Sequence, residues 1–166
     1  MSEHAAVLPL ALIEGCQLVR LVDEFREFLG DADADDSALR RLTPNAYPDD
    51  PHAASTFSES TREDLLDRRM NDAVTVRRDL APFDVDLERL TEAEAVQERR
   101  LVVDADDLDA WLRTLTAVRL VIADRLGITA EEDGADDGRH DVYDWLGYRL
   151  EILIQAADEL DDRRKP

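Results

Sequence analysis

Nonpolar residues recur every three or four positions along four long stretches of this chain, the spacing of one face of an α-helix. That pattern restricts the fold before any other feature does. The first stretch runs from Pro9 to Leu29, with Leu10, Ile13, Leu18, Val22, Phe25 and Leu29 on one side. Pro9 suits a first-turn position, where its missing N–H goes unused, and Gly30 reads as the stop. Ser60-Thr61-Arg62-Glu63 fits a capping box opening a second helix, with Leu65, Leu66, Met70, Ala73, Val74 and Leu80 as its stripe and Pro82 as its end. Asp104 caps a third, carrying Leu108, Trp111, Leu115, Val118 and Ile122, closed by Gly127. The fourth spans about Asp141 to Leu160, with Trp145, Leu146, Leu150 and Leu153 facing inward.

Shorter pieces lie between these helices. Ser37 to Leu42 and Pro51 to about Phe57 read as short helices, the latter capped by Asp50. Between Phe83 and Val103 the pattern is mixed. Thr91-Glu92-Ala93-Glu94 can cap one more turn, whereas Arg100-Leu101-Val102-Val103 has β character. Three prolines between Thr43 and Pro51 fix an extended loop. Thr129 to Glu132 repeats the capping pattern. Mobile loops are expected near 31–36 and 133–139, where Asp and Gly cluster. The expected fold is all-α: one domain over 1–166, a compact bundle of about four long amphipathic helices plus short ones.

Forty Asp and Glu against twenty Lys and Arg leave a net charge of −20, so the mean field repels phosphates and anionic headgroups. Direct binding to nucleic acid or membrane is therefore not expected. Arg68, Arg69, Arg77 and Arg78 form a local basic cluster, but Asp67, Asp72 and Asp79 alternate with them, the pattern of a solvated helix face. Glu14 interrupts the apolar run Ala5 to Ile13 far short of a membrane span, and no basic segment precedes it. Cytoplasmic residence is the expectation.

Neither a catalytic nor a metal-binding motif emerges. From Asp31, an EF-hand loop would need Gly at its sixth position and Glu at its twelfth; these positions hold Asp36 and Leu42. His4, His52 and His140 stand far apart, and His140 lies among Asp136, Asp137, Asp141 and Asp144 as a surface histidine would. No G-x-S-x-G, P-loop or G-x-G-x-x-G is present. An enzyme, a metal site and a cofactor are accordingly not expected. Cys16, the one cysteine, borders the buried face of the first helix and reads as a small apolar packing residue. The competing reading is a redox-reactive thiol, for which Arg20 one turn on could supply positive charge.

Three groups of strings bring in a family. They are Arg41-Leu42-Thr43-Pro44-Asn45-Ala46-Tyr47-Pro48-Asp49-Asp50-Pro51; Ala110-Trp111-Leu112-Arg113 with Arg119-Leu120 and Arg125-Leu126-Gly127; and Val142-Tyr143-Asp144-Trp145-Leu146. Together they resemble the actinobacterial oxidative-stress regulator (AosR) family, long described as a domain of unknown function. The likeness spans most of the chain. It implies a helical, non-enzymatic regulator, similar to a redox sensor that uses a Cys-x-x-x-Cys pair and engages an extracytoplasmic-function sigma factor. Cys16 departs from that pattern, because positions 12 and 20 are Leu12 and Arg20, so no such pair can close within the chain.

The expected function is thus regulation of transcription through a protein partner, a sigma factor or another RNA polymerase component, with acidic faces steering a basic partner surface. Interaction surfaces are placed at the loop Tyr47, Pro48, Asp49, Asp50 and Pro51, and at Tyr143, Asp144 and Trp145. Two other classes compete. One is a small-ligand or metal-dependent enzyme with Tyr47, Tyr143 and Trp145 lining a pocket; the other is a structural homodimer.

Overall fold

The computed structural model describes residues 4–43, 51–127 and 140–165, apart from the side chains of 51–58. The loop Tyr47, Pro48, Asp49 and Asp50, the cap at Thr129 and the segment 133–139 lie outside the described residues, as does the side chain of Pro51. Six α-helices and one small sheet are present among the described residues, in the order β1 (Ala5–Ala11), α1 (Leu12–Asp31), α2 (Ser37–Leu42), α3 (Pro51–Asp79), α4 (Glu92–Ala95), β2 (Glu98–Asp104), α5 (Leu108–Leu126) and α6 (Asp141–Arg164). The chain is mostly helical, and the all-α expectation is corrected by the two strands.

β1 and β2 form an antiparallel ribbon with Ala5 opposite Asp104 and Ala11 opposite Glu98. The β character of Leu101 to Val103 is realised here. Pro9 is not at a helix start, because α1 begins three residues later, at Leu12. The reason lies in the alternation. Ala6 and Leu10 are buried while Val7 and Pro9 face out, a period of two that overlaps the helical spacing of Leu10, Ile13 and beyond. The amide bonds Ala105 N to His4 O and Leu12 N to Gln97 O mark even-numbered residues of β1 as the hydrogen-bonded pairs. Pro9 therefore stands where an N–H would point away from β2, so its ring costs no ladder bond.

α1 runs one residue past Gly30, to Asp31. Asp36 caps α2 by accepting from Ala38 N and Leu39 N, and it also receives Arg125 at 2.7 Å. Its carboxyl is held below the usual range by that guanidinium and the two helix N–H groups, against the opposing effect of desolvation. Ser37 donates to Asp124 at 2.6 Å, so the acidic linker is tied to the end of α5.

α3 is a single helix of 29 residues. The expected break between a short helix ending near Phe57 and a new start at Ser60 does not occur. No Gly or Pro interrupts residues 52–79, so nothing breaks the ladder at the junction, and adding residues to an existing helix is favoured over nucleating a new one. Its last turns carry Ala73 and Val76, and Leu80 follows directly after it, all three fully buried. Pro82 follows in a 3-10 turn, Ala81–Phe83. α4 is the capped turn expected at Thr91, with the Thr91 hydroxyl on Glu94 N and the Glu94 carboxylate on Thr91 N. Asp104 does not cap α5 as expected: it precedes the 3-10 turn Ala105–Asp107 without a side-chain capping hydrogen bond, and α5 itself starts at Leu108, after Asp107. Gly127 ends α5 in the left-handed region at φ 67°, where a side chain is disfavoured.

α5 is the central element: α3 and α6 pack on it, α1 packs on α3, and the inner face of the ribbon adds Ala6, Leu10, Leu101 and Val103 to the same core. Trp111, 1% exposed, fills the centre and donates its indole N–H to Asp79 at 2.9 Å. Among the described residues, no helix is long and apolar enough to cross a membrane.

Candidate functional site

Of the residues singled out by sequence, Cys16 lies on α1 and Tyr143, Asp144 and Trp145 on α6. Cys16 sits at the join of α1 with the turn after α3, and its thiol donates to Phe83 O at 3.2 Å. Arg20 is engaged by Gln17 and Glu24. Trp145 faces α1, where its indole N–H donates to Glu14 at 2.9 Å. Asp144 is exposed on α6. Tyr143 lines a surface groove between α5 and α6.

Two grooves run side by side along α5. The larger, about 680 Å³, lies between α3 and α5, with Leu65, Leu112 and Leu120 as its apolar lining. Arg68 and Arg69 stand on its α3 side, and Arg113 on its α5 side. The smaller, about 300 Å³, lies between α5 and α6 and includes Arg119, Tyr143, Leu150 and Ile154. Thr116 and Leu120 belong to both, forming the ridge between them. Leu120 is 39% exposed and Ile154 49% exposed, large apolar side chains left uncovered on one face.

The second groove depends on Gly147. A Cβ there would come 2.9 Å from an Arg119 nitrogen, so the bare backbone lets the guanidinium lie across α6. From that position Arg119 stacks 3.8 Å from the Tyr143 ring centroid and donates to Tyr143 O at 3.1 Å. Gly15 and Gly147 are both inside helices rather than at their ends.

The arginine cluster divides in the same way. Arg77 bridges Asp23 of α1 and Asp84, and Arg78 reaches Asp79 and Asp107, so these two brace the fold. Arg68 and Arg69 are not part of that bracing. Arg69 donates to Leu42 O at 3.1 Å, and its Nε is buried with no partner. Burial pushes the Arg69 guanidinium below its ordinary pKa, with the charge of Asp72 opposing. Arg68 is exposed and has no ion-pair partner among the described residues. Arg113 holds Asp72 through two hydrogen bonds, at 2.8 and 3.1 Å. Three guanidiniums therefore face one carboxylate in this groove, in a chain whose net charge is −20.

Sequence reading missed this gathering, because Arg113 joins Arg68 and Arg69 only through packing of α5 on α3. Among the described residues, no group of three or more His, Cys, Asp or Glu is placed to hold a metal ion. No curated protein and no solved structure matches the chain. Residues 2–157 match the family model described as Domain of unknown function (DUF2017), and the chain belongs to that family.

Proposed function

We propose that this domain is a cytoplasmic, non-enzymatic regulatory protein that acts by protein–protein interaction, with a sigma factor or another RNA polymerase component in oxidative-stress transcription as its partner. The observation that carries this reading is the pair of adjacent grooves with Leu120 on the ridge and Ile154 exposed beside it. A shallow, two-lobed apolar face of this kind suits a partner's helix laid against it. The AosR resemblance supports the transcriptional part. A redox input, if the protein has one, runs between molecules or through an adduct at Cys16, the single cysteine.

The test is affinity capture from extract of the native host, at low salt and in both redox states, with the wild-type chain and a Leu120→Glu/Ile154→Glu chain. The expected result is a sigma factor or polymerase component retained by the wild type and lost by the variant. Capture of neither in any condition overturns the reading.

A second reading, the homodimer, is favoured by a different surface. Val7 and Val102 face each other across the outer side of the ribbon, 43% and 51% exposed. Light scattering over a concentration series decides it: a dimer mass abolished by Val102→Glu supports it, and a monomer mass throughout excludes it.

A further inference from the structure

We propose that the groove between α3 and α5 seats an acidic amphipathic segment of the protein partner, with nonpolar side chains against Leu65, Leu112 and Leu120 and carboxylates on Arg68, Arg69 and Arg113. The proposal rests on the interaction-module reading and specifies the partner's chemistry at one part of that face.

Three observations carry it. The groove joins an apolar floor to a rim of planar guanidiniums, which match carboxylates in a two-pronged geometry that an ammonium cannot offer. Its positive charge is incompletely used. Arg68 has no acidic partner among the described residues, although the chain holds twice as many acids as bases, and Asp72 occupies only part of the donor set of Arg113. Finally, the cost of burying Arg69 is offset within the protein by one carbonyl and the charge of Asp72, while its Nε stays unpartnered. A partner's carboxylate beside the guanidinium adds to the charge of Asp72 as compensation.

The same geometry argues against a nucleic acid. A phosphate backbone continuing past the groove meets exposed Asp64 and Asp67 on α3, within a field set by the net −20. A short acidic helix presents its charge only where the arginines are. Screening over about 8 Å at physiological salt separates that local attraction from the distant repulsion.

The experiment uses the full chain and four fluorescein-labelled probes. Three are synthetic amphipathic peptides of about four helical turns, each with Leu along one face. Their flanking positions are Glu in the first, Gln in the second and Lys in the third; the fourth probe is a duplex DNA. Fluorescence anisotropy is expected to show the Glu peptide binding about tenfold more tightly than the Gln peptide, a difference worth about 1.4 kcal/mol. Arg68→Glu, at an exposed and unpaired position, is expected to abolish that preference and turn it toward the Lys peptide, with an unchanged melting temperature. Amide shifts on adding the Glu peptide should concentrate in residues 65–72 and 112–120. Equal binding of the Glu and Gln peptides, preference of the wild type for Lys, or shifts elsewhere on the molecule overturn the proposal, as does tighter binding of DNA. Failure here with the Leu120→Glu/Ile154→Glu capture result intact leaves the interaction-module reading standing and removes only the acidic occupant.

Discussion

Gly15 shows how much of this fold depends on single atoms. A Cβ at that position would overlap Phe83, a fully buried ring on the turn after α3. Helix propensity alone favours alanine there by about 1 kcal/mol. The contact opposes it, because neither α1 nor a buried ring can retreat without opening the core, so Gly15→Ala should lower stability by about 1–3 kcal/mol. A urea midpoint that rises in the variant would show the contact to be looser than described. Glu14, its neighbour, accepts hydrogen bonds from Ala11 N, from the Trp145 indole and from Arg149, fastening α1 to α6. Desolvation raises its pKa, but those three donors and the Arg149 charge outweigh it and hold the carboxyl below its ordinary value near 4.5. A lowered folded-state pKa gives stability that is present above the unfolded value and lost as pH falls through the folded one. Glu14→Gln is therefore expected to cost about 1–3 kcal/mol at neutral pH, a gap that closes on acidification below about pH 4.5. Denaturant curves of both chains across that range check it; a gap independent of pH would remove the charge from the explanation. In the sequence, Glu14 was legible only as an interruption of an apolar run, since Trp145 and Arg149 lie more than a hundred residues away.

At the scale of elements, α5 was legible because its stripe and its stop agree, with Gly127 after Leu126, and α2 and α6 begin where the pattern placed them, at Ser37 and Asp141. Two elements were not. β1 hides within an apolar run that satisfies both periods, and only pairing with Leu101 and Val103 selects the extended form. In α3, Ser60-Thr61-Arg62-Glu63 has the composition of a start but lies inside a continuous helix, because a capping box adds little where the ladder already supplies partners. Proline separates the two arrangements. At the first position of a new helix, Thr61→Pro would be tolerated; inside a helix it removes a ladder bond and presses on the carbonyl of Phe57, at about 3 kcal/mol or more. The expected outcome is loss of hydrogen-exchange protection upstream of residue 61, with helical circular dichroism reduced by those turns. Unchanged protection would mean that the helix is already broken there.

Across the whole molecule the charge distribution is the dominant unknown that sequence alone could half resolve. The net −20 was plain, but not the sorting of Arg68, Arg69 and Arg113 into one groove, nor of Arg77, Arg78 and Arg125 into bridges, since each depends on which helices meet. The surplus acid predicts how stability responds to salt. Exposed pairs such as Arg20 with Glu24 and Arg163 with Glu159 contribute roughly 0–1 kcal/mol each, so screening them loses little. Self-repulsion acts over the whole surface. For a domain with a radius of gyration of roughly 15 Å, a screening length of about 30 Å at 0.01 M lets every carboxylate feel the others, whereas about 8 Å at 0.15 M confines repulsion to neighbours. The unfolded chain spreads the same charge over a larger volume and gains less from screening. Raising sodium chloride between those concentrations should therefore raise the melting temperature by about 2–6 °C, the equivalent of roughly 1–2 kcal/mol. A melting temperature that falls over this range would mean that bridges such as Arg77 to Asp84 and Arg125 to Asp36 outweigh the repulsion, and that the acidic surface is far better compensated than its net charge suggests.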